Sequence, residues 1–393
     1  MTATSSGQWD ATELESLRSL GDPEADAVVA AHFRDERPSP ADLFRRLAFS
    51  EQPADADTDP VGRFLAQAPP LPGWLDQPVL SRAQSWFARI GMHVFCALYA
   101  GSLPTAYACD QGVQVLASTA RLETDAKRRL NETAQFVLDV MAPRGLEPGG
   151  RGFQAVRRVR LMHAAVRWLI EHDPRVVWDE SQLGRPINQE DLLMTVLTFT
   201  EVVFEGFDRT GVEYTPTEAH DYLHLWSYVG YLLGVEPRFL PLDRASASTL
   251  MDHVRMVHFG ASAAGQALTD ALLDQARGVL PRPLRGLPAT SIRWYVGDST
   301  ADLIGVPRAD WTRALFGPLA SLTRRLSAGG LHRRLLSGLS ERFGRAMLTA
   351  AVNAERAGDR ASFSIPEELR GPLGVTEAPR ATALWPFRPA GQG

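Results

Sequence analysis

In the stretch AVRRVRLMHAAVRW (Ala155–Trp168), apolar residues recur with the period of an α-helix. Val156, Val159, His163, Val166 and Ile170 follow one another at spacings of three, four, three and four, so they form one seam. Arg160 stands about a turn before the histidine and Arg167 about a turn after it, both close to the same face. Two guanidiniums beside an imidazole disfavour a further positive charge, so the spacing predicts a neutral His163. The arginines in turn call for anions.

The preceding segment, RLETDAKRRLNETAQFVLDVM, carries a second seam: Leu122, Ala126, Arg129, Thr133, Phe136 and Val140. Arg129 and Thr133 fall on its buried face, and a buried guanidinium without a partner is costly. The Thr133 hydroxyl can serve a ligand or bond back to its own helix. Two readings of the histidine seam stand side by side. In one, a haem supplies an iron for His163 and two propionates for the arginines. In the other, His163 is a core histidine bonded to a carbonyl, and the arginines reach outward to solvent.

The composition bounds both readings. Of 393 residues, 45% are hydrophobic and 22% charged, enough for a sizeable core. The net charge of −5 argues against a nucleic-acid partner. Two cysteines, Cys96 and Cys109, make no disulfide framework and fit a reducing compartment; both read as buried thiols. The opening MTATSSGQWDATELE has neither a basic nor an apolar export region, so the expected location is cytoplasmic. Ile90 to Cys109 lacks charged residues, but its second half, GSLPTAYAC, reads as a helix-breaking turn. A buried helix, rather than a stable membrane insertion, is expected there.

Helical signals dominate the rest. Asp22 and Pro23 open a helix in DPEADAVVAAHF, and Thr215, Pro216 and Glu218 form a capping box. Gln189 to Phe207 reads as one helix, apolar nearly all round, and further helices are expected over about 243–277, 309–326 and 330–356. No sustained two-residue alternation occurs, so strands should be few. The expected architecture is all-α. It comprises a helical extension over 1–70 packed on the core, a core over 71–357 and a surface tail over 358–393.

Five segments, SLPTAYACDQGVQVLASTARL, RRLNETAQFVLDVM, VRLMHAAVRW, LGRPINQEDLLMTVLTF and HLWSYVGYLLGV, together resemble the latex clearing protein and MpaB-type oxygenase family in order and spacing, over about residues 20–240. The resemblance implies a haem b in a globin-like helical core with extra peripheral helices. It implies that His163 is the axial iron ligand, between Arg160 and Arg167, and that Arg129 and Thr133 lie near the haem. The motif histidine of HLW falls on His224. Two features depart from the family: Glu132 stands where latex clearing proteins have a lysine before the motif threonine, and DQGVQVL holds no glutamate, Asp110 being the nearest acid. Glu132 reads either as the acid–base group of a different oxidation or as a solvated charge. These departures point away from a solid polymer and toward a small apolar or aromatic metabolite, with O2 or a peroxide as oxidant and an electron donor as possible partner.

Competing readings are a peroxygenase or dehydrogenase, a non-catalytic haem carrier or sensor, and a zinc hydrolase built on His220 and His224 of HDYLH, which imitates a zinc motif but lacks a third ligand. GLEPGGRG (Gly145–Gly152) follows no strand and reads as a connection, not a phosphate loop. The amphipathic run from Leu331 to Ala357 reads as packed on the core rather than on a membrane surface.

Overall fold

The computed structural model describes residues 11–34, 43–44, 46–47, 59–118, 126–174, 176–279 and 282–308. Among them the named elements are all helical, and the one β contact is an isolated bridge between Cys109 and Phe259. The principal helices are α1 (Pro23–Arg34), α2 (Pro60–Ala66), α3 (Gln77–Ala97), α4 (Leu103–Ala108), α5 (Ala126–Met141), α6 (Arg151–His172), α7 (Gln189–Phe199), α8 (Glu201–Thr210), α9 (Pro216–Leu232), α10 (Arg244–His258), α11 (Ala263–Val279) and α12 (Leu287–Val296). The helices expected over 309–326 and 330–356, with the run to Ala357 and the tail from 358, lie outside the described residues.

The caps read from sequence are present. The Ala25 amide donates to Asp22 Oδ1 at 3.2 Å. Thr215 and Glu218 form the reciprocal capping box of α9. Three expectations need correction. GSLPTAYAC does not end the helix: α3 runs into a wide π-turn, Leu98–Ser102, and then α4. Pro104 lies at the start of α4, directly after the wide turn. The run from Gln189 to Phe207 is two helices, broken at Thr200, whose φ of −118° and ψ of −83° are not helical. Competing hydroxyls explain the break: Thr200 Oγ1 donates to Val196 O at 2.9 Å, and Ser102 Oγ to Thr198 O at 2.5 Å. The 243–277 run likewise splits after His258. There the Asp110 amide donates to His258 O at 3.1 Å and the Gly260 amide to Ala108 O at 2.9 Å.

Helix α6 carries the histidine seam and joins two apolar cores. Phe153 and Val156 belong to the larger core, with Trp86, Phe204, Tyr222 and Trp226. Leu161, Ala165 and Leu169 belong to the smaller one, with Ala25 and Val29 of α1 and Phe64 of α2. Helix α6 therefore packs along α5 on one side and against α1 and α2 on another. Full burial of each such Leu or Phe contributes about 1.5–3 kcal/mol. No described helix is long and apolar enough to cross a membrane. Cys109 is buried as expected, but Cys96 is exposed.

Candidate functional site

His163 is half-buried on α6. Its Nδ1 is sealed from solvent and has no hydrogen-bond partner, while the imidazole keeps accessible surface elsewhere. Burial first, and the Arg167 guanidinium second, push its pKa down to about 4, against an opposing pull from Asp22. The ring is therefore neutral near pH 7, the state that ligates a metal. The sequence predicted this state but credited the arginines with more of the effect than burial.

The anions that the arginines call for come from α1. Arg160, only 7% exposed, donates from Nε to Asp22 Oδ2 at 2.5 Å and from one terminal nitrogen to Asp22 Oδ1 and Glu24 Oε2, both at 2.8 Å. Arg167, 1% exposed, pairs with Asp26 and donates to Pro186 O at 2.9 Å and Ile187 O at 2.6 Å. Both guanidinium forks are taken up by the acids of DPEAD and by the loop before α7. They clamp the ends of the chain segment that frames His163. A third buried arginine, Arg157, was not singled out in the sequence. It lies 3.7 Å over the Phe64 ring and donates to Phe64 O at 2.6 Å and Gln67 O at 3.2 Å, closing the C-terminal end of α2.

Helix α5 supplies a second wall. The Arg129 side chain lies outside the described residues; Glu132, Thr133 and Phe136 are half-buried. Helix α7 carries a stripe that the sequence did not reveal. It is buried except at Asp191, Thr195 and Phe199, which recur at a spacing of four and so share one stripe. Phe199 stacks on Trp226 at 4.4 Å between centroids, and Phe136 of α5 lies 6.4 Å from the same indole. One aromatic residue from each of α5 and α7 thus lies against Trp226. Burial pushes the Asp191 carboxyl up to about 6 despite the neighbouring Arg18. Behind it, Glu190 accepts from Arg18 at 3.2 Å and pairs with His258 Nε2 at 2.8 Å.

His224 on α9 reaches the start of α3. Its Nε2 accepts the Asp76 amide at 3.1 Å, at the start of α3, and its ring meets Trp74 edge-on at 5.3 Å. One ring nitrogen thus accepts a backbone amide at the start of that helix. His220 stacks beside it at 6.0 Å but is exposed, as expected. Among the described residues no three His, Cys, Asp or Glu side chains form a metal-binding group, so HDYLH gains no third ligand.

A family model described as the ER-bound oxygenase mpaB/B'/rubber oxygenase catalytic domain matches residues 85–391. The chain belongs to this oxygenase family. The match runs well past residue 240, where the sequence motifs gave out. A rubber oxygenase from Streptomyces sp. (strain K30) is 28% identical over 298 residues, covering 73% of this chain and 71% of that protein. A solved structure of latex clearing protein in its closed state superposes with a TM-score of 0.68 and 24% identity, covering 89% of this chain and 95% of that one. The all-α architecture is the one that solved structure shows.

Proposed function

We propose that the protein is a haem b-dependent oxygenase of a small apolar or aromatic metabolite, with His163 as the axial iron ligand. The observation that carries this reading is His163 itself: a neutral imidazole on a buried seam, one nitrogen sealed and the ring still accessible, with no hydrogen bond in the protein. Because Nδ1 is closed off, Nε2 is the atom offered. Haem b, when bound, supplies the activation of O2 or of a peroxide.

The chain's own residues would do the rest. Val159 and Val166, half-buried on either side of His163, present apolar surface to a flat macrocycle. Arg160 and Arg167 hold α6 to α1 and to the loop before α7, fixing the orientation of the imidazole through the helix that bears it. Thr133 on α5 would orient a ligand through its hydroxyl, and Arg129 on the same face would meet an anion. Phe136, Phe199 and Trp226 favour an apolar or aromatic substrate over a charged one. Glu132 is the acid–base candidate of α5, in place of the family's lysine. An electron donor would be required if O2 is the oxidant and the substrate supplies too few electrons.

The test is the absorption spectrum of the purified full-length protein, with and without dithionite and carbon monoxide. A Soret band that shifts with both supports the reading. Zinc in place of haem would refute it, and a six-coordinate low-spin spectrum indifferent to substrates would favour a carrier or sensor. Product analysis with O2 and then with peroxide separates an oxygenase from a peroxygenase.

A further inference from the structure

The histidine helix holds two histidines whose Nδ1 atoms are treated differently. His172 Nδ1 lies 2.8 Å from Trp168 O, the carbonyl one turn back on the same helix. His163 makes no such bond, and its Nδ1 is buried without any acceptor. Nor does a carboxylate fill the gap. Asp22 is the carboxylate whose charge reaches the ring, yet both its oxygens are committed, to Arg160 at 2.5 and 2.8 Å and to the Ala25 amide at 3.2 Å. Arg167, on the other side, can only donate.

Resting on the haem reading above, we infer that His163 is an axial ligand whose second nitrogen is deliberately left without an acceptor, so that the iron is held by a plain neutral imidazole. Metal-bound histidines usually donate the other N–H to a carboxylate or carbonyl, which raises their basicity and strengthens donation to the metal. Here the neutral ring keeps its proton on Nδ1 when Nε2 binds, and nothing draws that proton away. Three consequences follow. The iron–nitrogen bond is weak, the reduced iron is favoured over the oxidised, and the axial ligand is easily lost. Arg160 has a second effect in this scheme: it keeps both Asp22 oxygens occupied away from the ring.

The experiment is resonance Raman spectroscopy of the haem-loaded full-length protein, read just after photolysis of its carbon monoxide complex. Photolysis leaves the iron five-coordinate whatever had stood opposite His163. The references are reduced haem with 2-methylimidazole in a solvent that accepts no hydrogen bond and with the deprotonated imidazole. The iron–histidine stretch is expected at the neutral, unbonded end of that range, and it should be absent in His163→Ala. A band at the deprotonated end overturns the inference and leaves the haem reading standing. A band that survives in His163→Ala overturns the ligand assignment, and a protein that takes up no haem overturns the proposed function itself.

Discussion

Removing the Asp22 carboxylate tests whether α1 or a bound cofactor supplies the counter-charge for Arg160. Asp22 is 3% exposed and takes two bonds from a guanidinium that is itself 7% exposed. Breaking a buried pair from one side leaves the other charge stranded, at a cost of about 3–5 kcal/mol. Glu24 remains at 2.8 Å, but its side chain is 60% exposed, and an exposed partner returns at most about 1 kcal/mol. Asp22 also caps α1 through the Ala25 amide, and losing a cap adds about 1 kcal/mol. The two smaller effects roughly cancel, so Asp22→Ala should destabilise the haem-free protein by about 3–5 kcal/mol. Asp22→Asn, which keeps the cap and one acceptor, should cost roughly half as much. Urea denaturation of the full chain, without and with haem, measures both. A loss below about 1 kcal/mol without haem would refute the assignment of Asp22 as the partner. So would a loss that appears only once haem is bound.

Gly234 has φ of +91°, and a Cβ there would stand 2.7 Å from Arg160 Nε and closer still to Asp22; Gly234→Ala should lower the thermal midpoint, and an unchanged midpoint would show the clamp to be loose. The folded pKa of His163 lies below its ordinary value of 6.5, so the unfolded chain binds the proton first. Stability of the haem-free protein should therefore fall as pH drops from 6.5 toward about 4, by on the order of 3 kcal/mol in all, and His163→Leu should flatten that slope in denaturation at about pH 5 and about pH 7. Asp191 is the reverse case. Its carboxyl is raised from 3.8 to about 6, so stability is lost as pH rises through that window, and Asp191→Asn should gain on the order of 2 kcal/mol at neutral pH; a loss instead would mean that the carboxylate has a partner worth more than its desolvation.

Much of this was legible in the chain because the informative signals were local. The seam through His163, the cap at Asp22 and the capping box at Thr215 depend on residues within a turn or two of each other, and each is found where its spacing placed it. The partners of the arginines were not legible, since Asp22 and Arg160 are 138 residues apart and periodicity does not say which acid meets which base. The breaks at Thr200 and after His258 were missed for a related reason. Ser102 and Asp110, brought in from distant parts of the chain, take the carbonyls that a continuous helix would have used. The stripe of Asp191, Thr195 and Phe199 could be read only once the burial of the rest of α7 was visible, because the sequence there is apolar on most faces. The contacts of His224 with Asp76 and Trp74 were not legible either, because they join residues far apart in the chain.

The most direct measurement is a haem titration of the purified full-length protein followed at the Soret band, run in parallel on the wild type, His163→Ala and His224→Ala. The account predicts stoichiometric binding by the wild type and by His224→Ala, with loss of binding or a changed ligand spectrum in His163→Ala alone. An unchanged spectrum in His163→Ala, or loss of haem in His224→Ala with His163 intact, would contradict it.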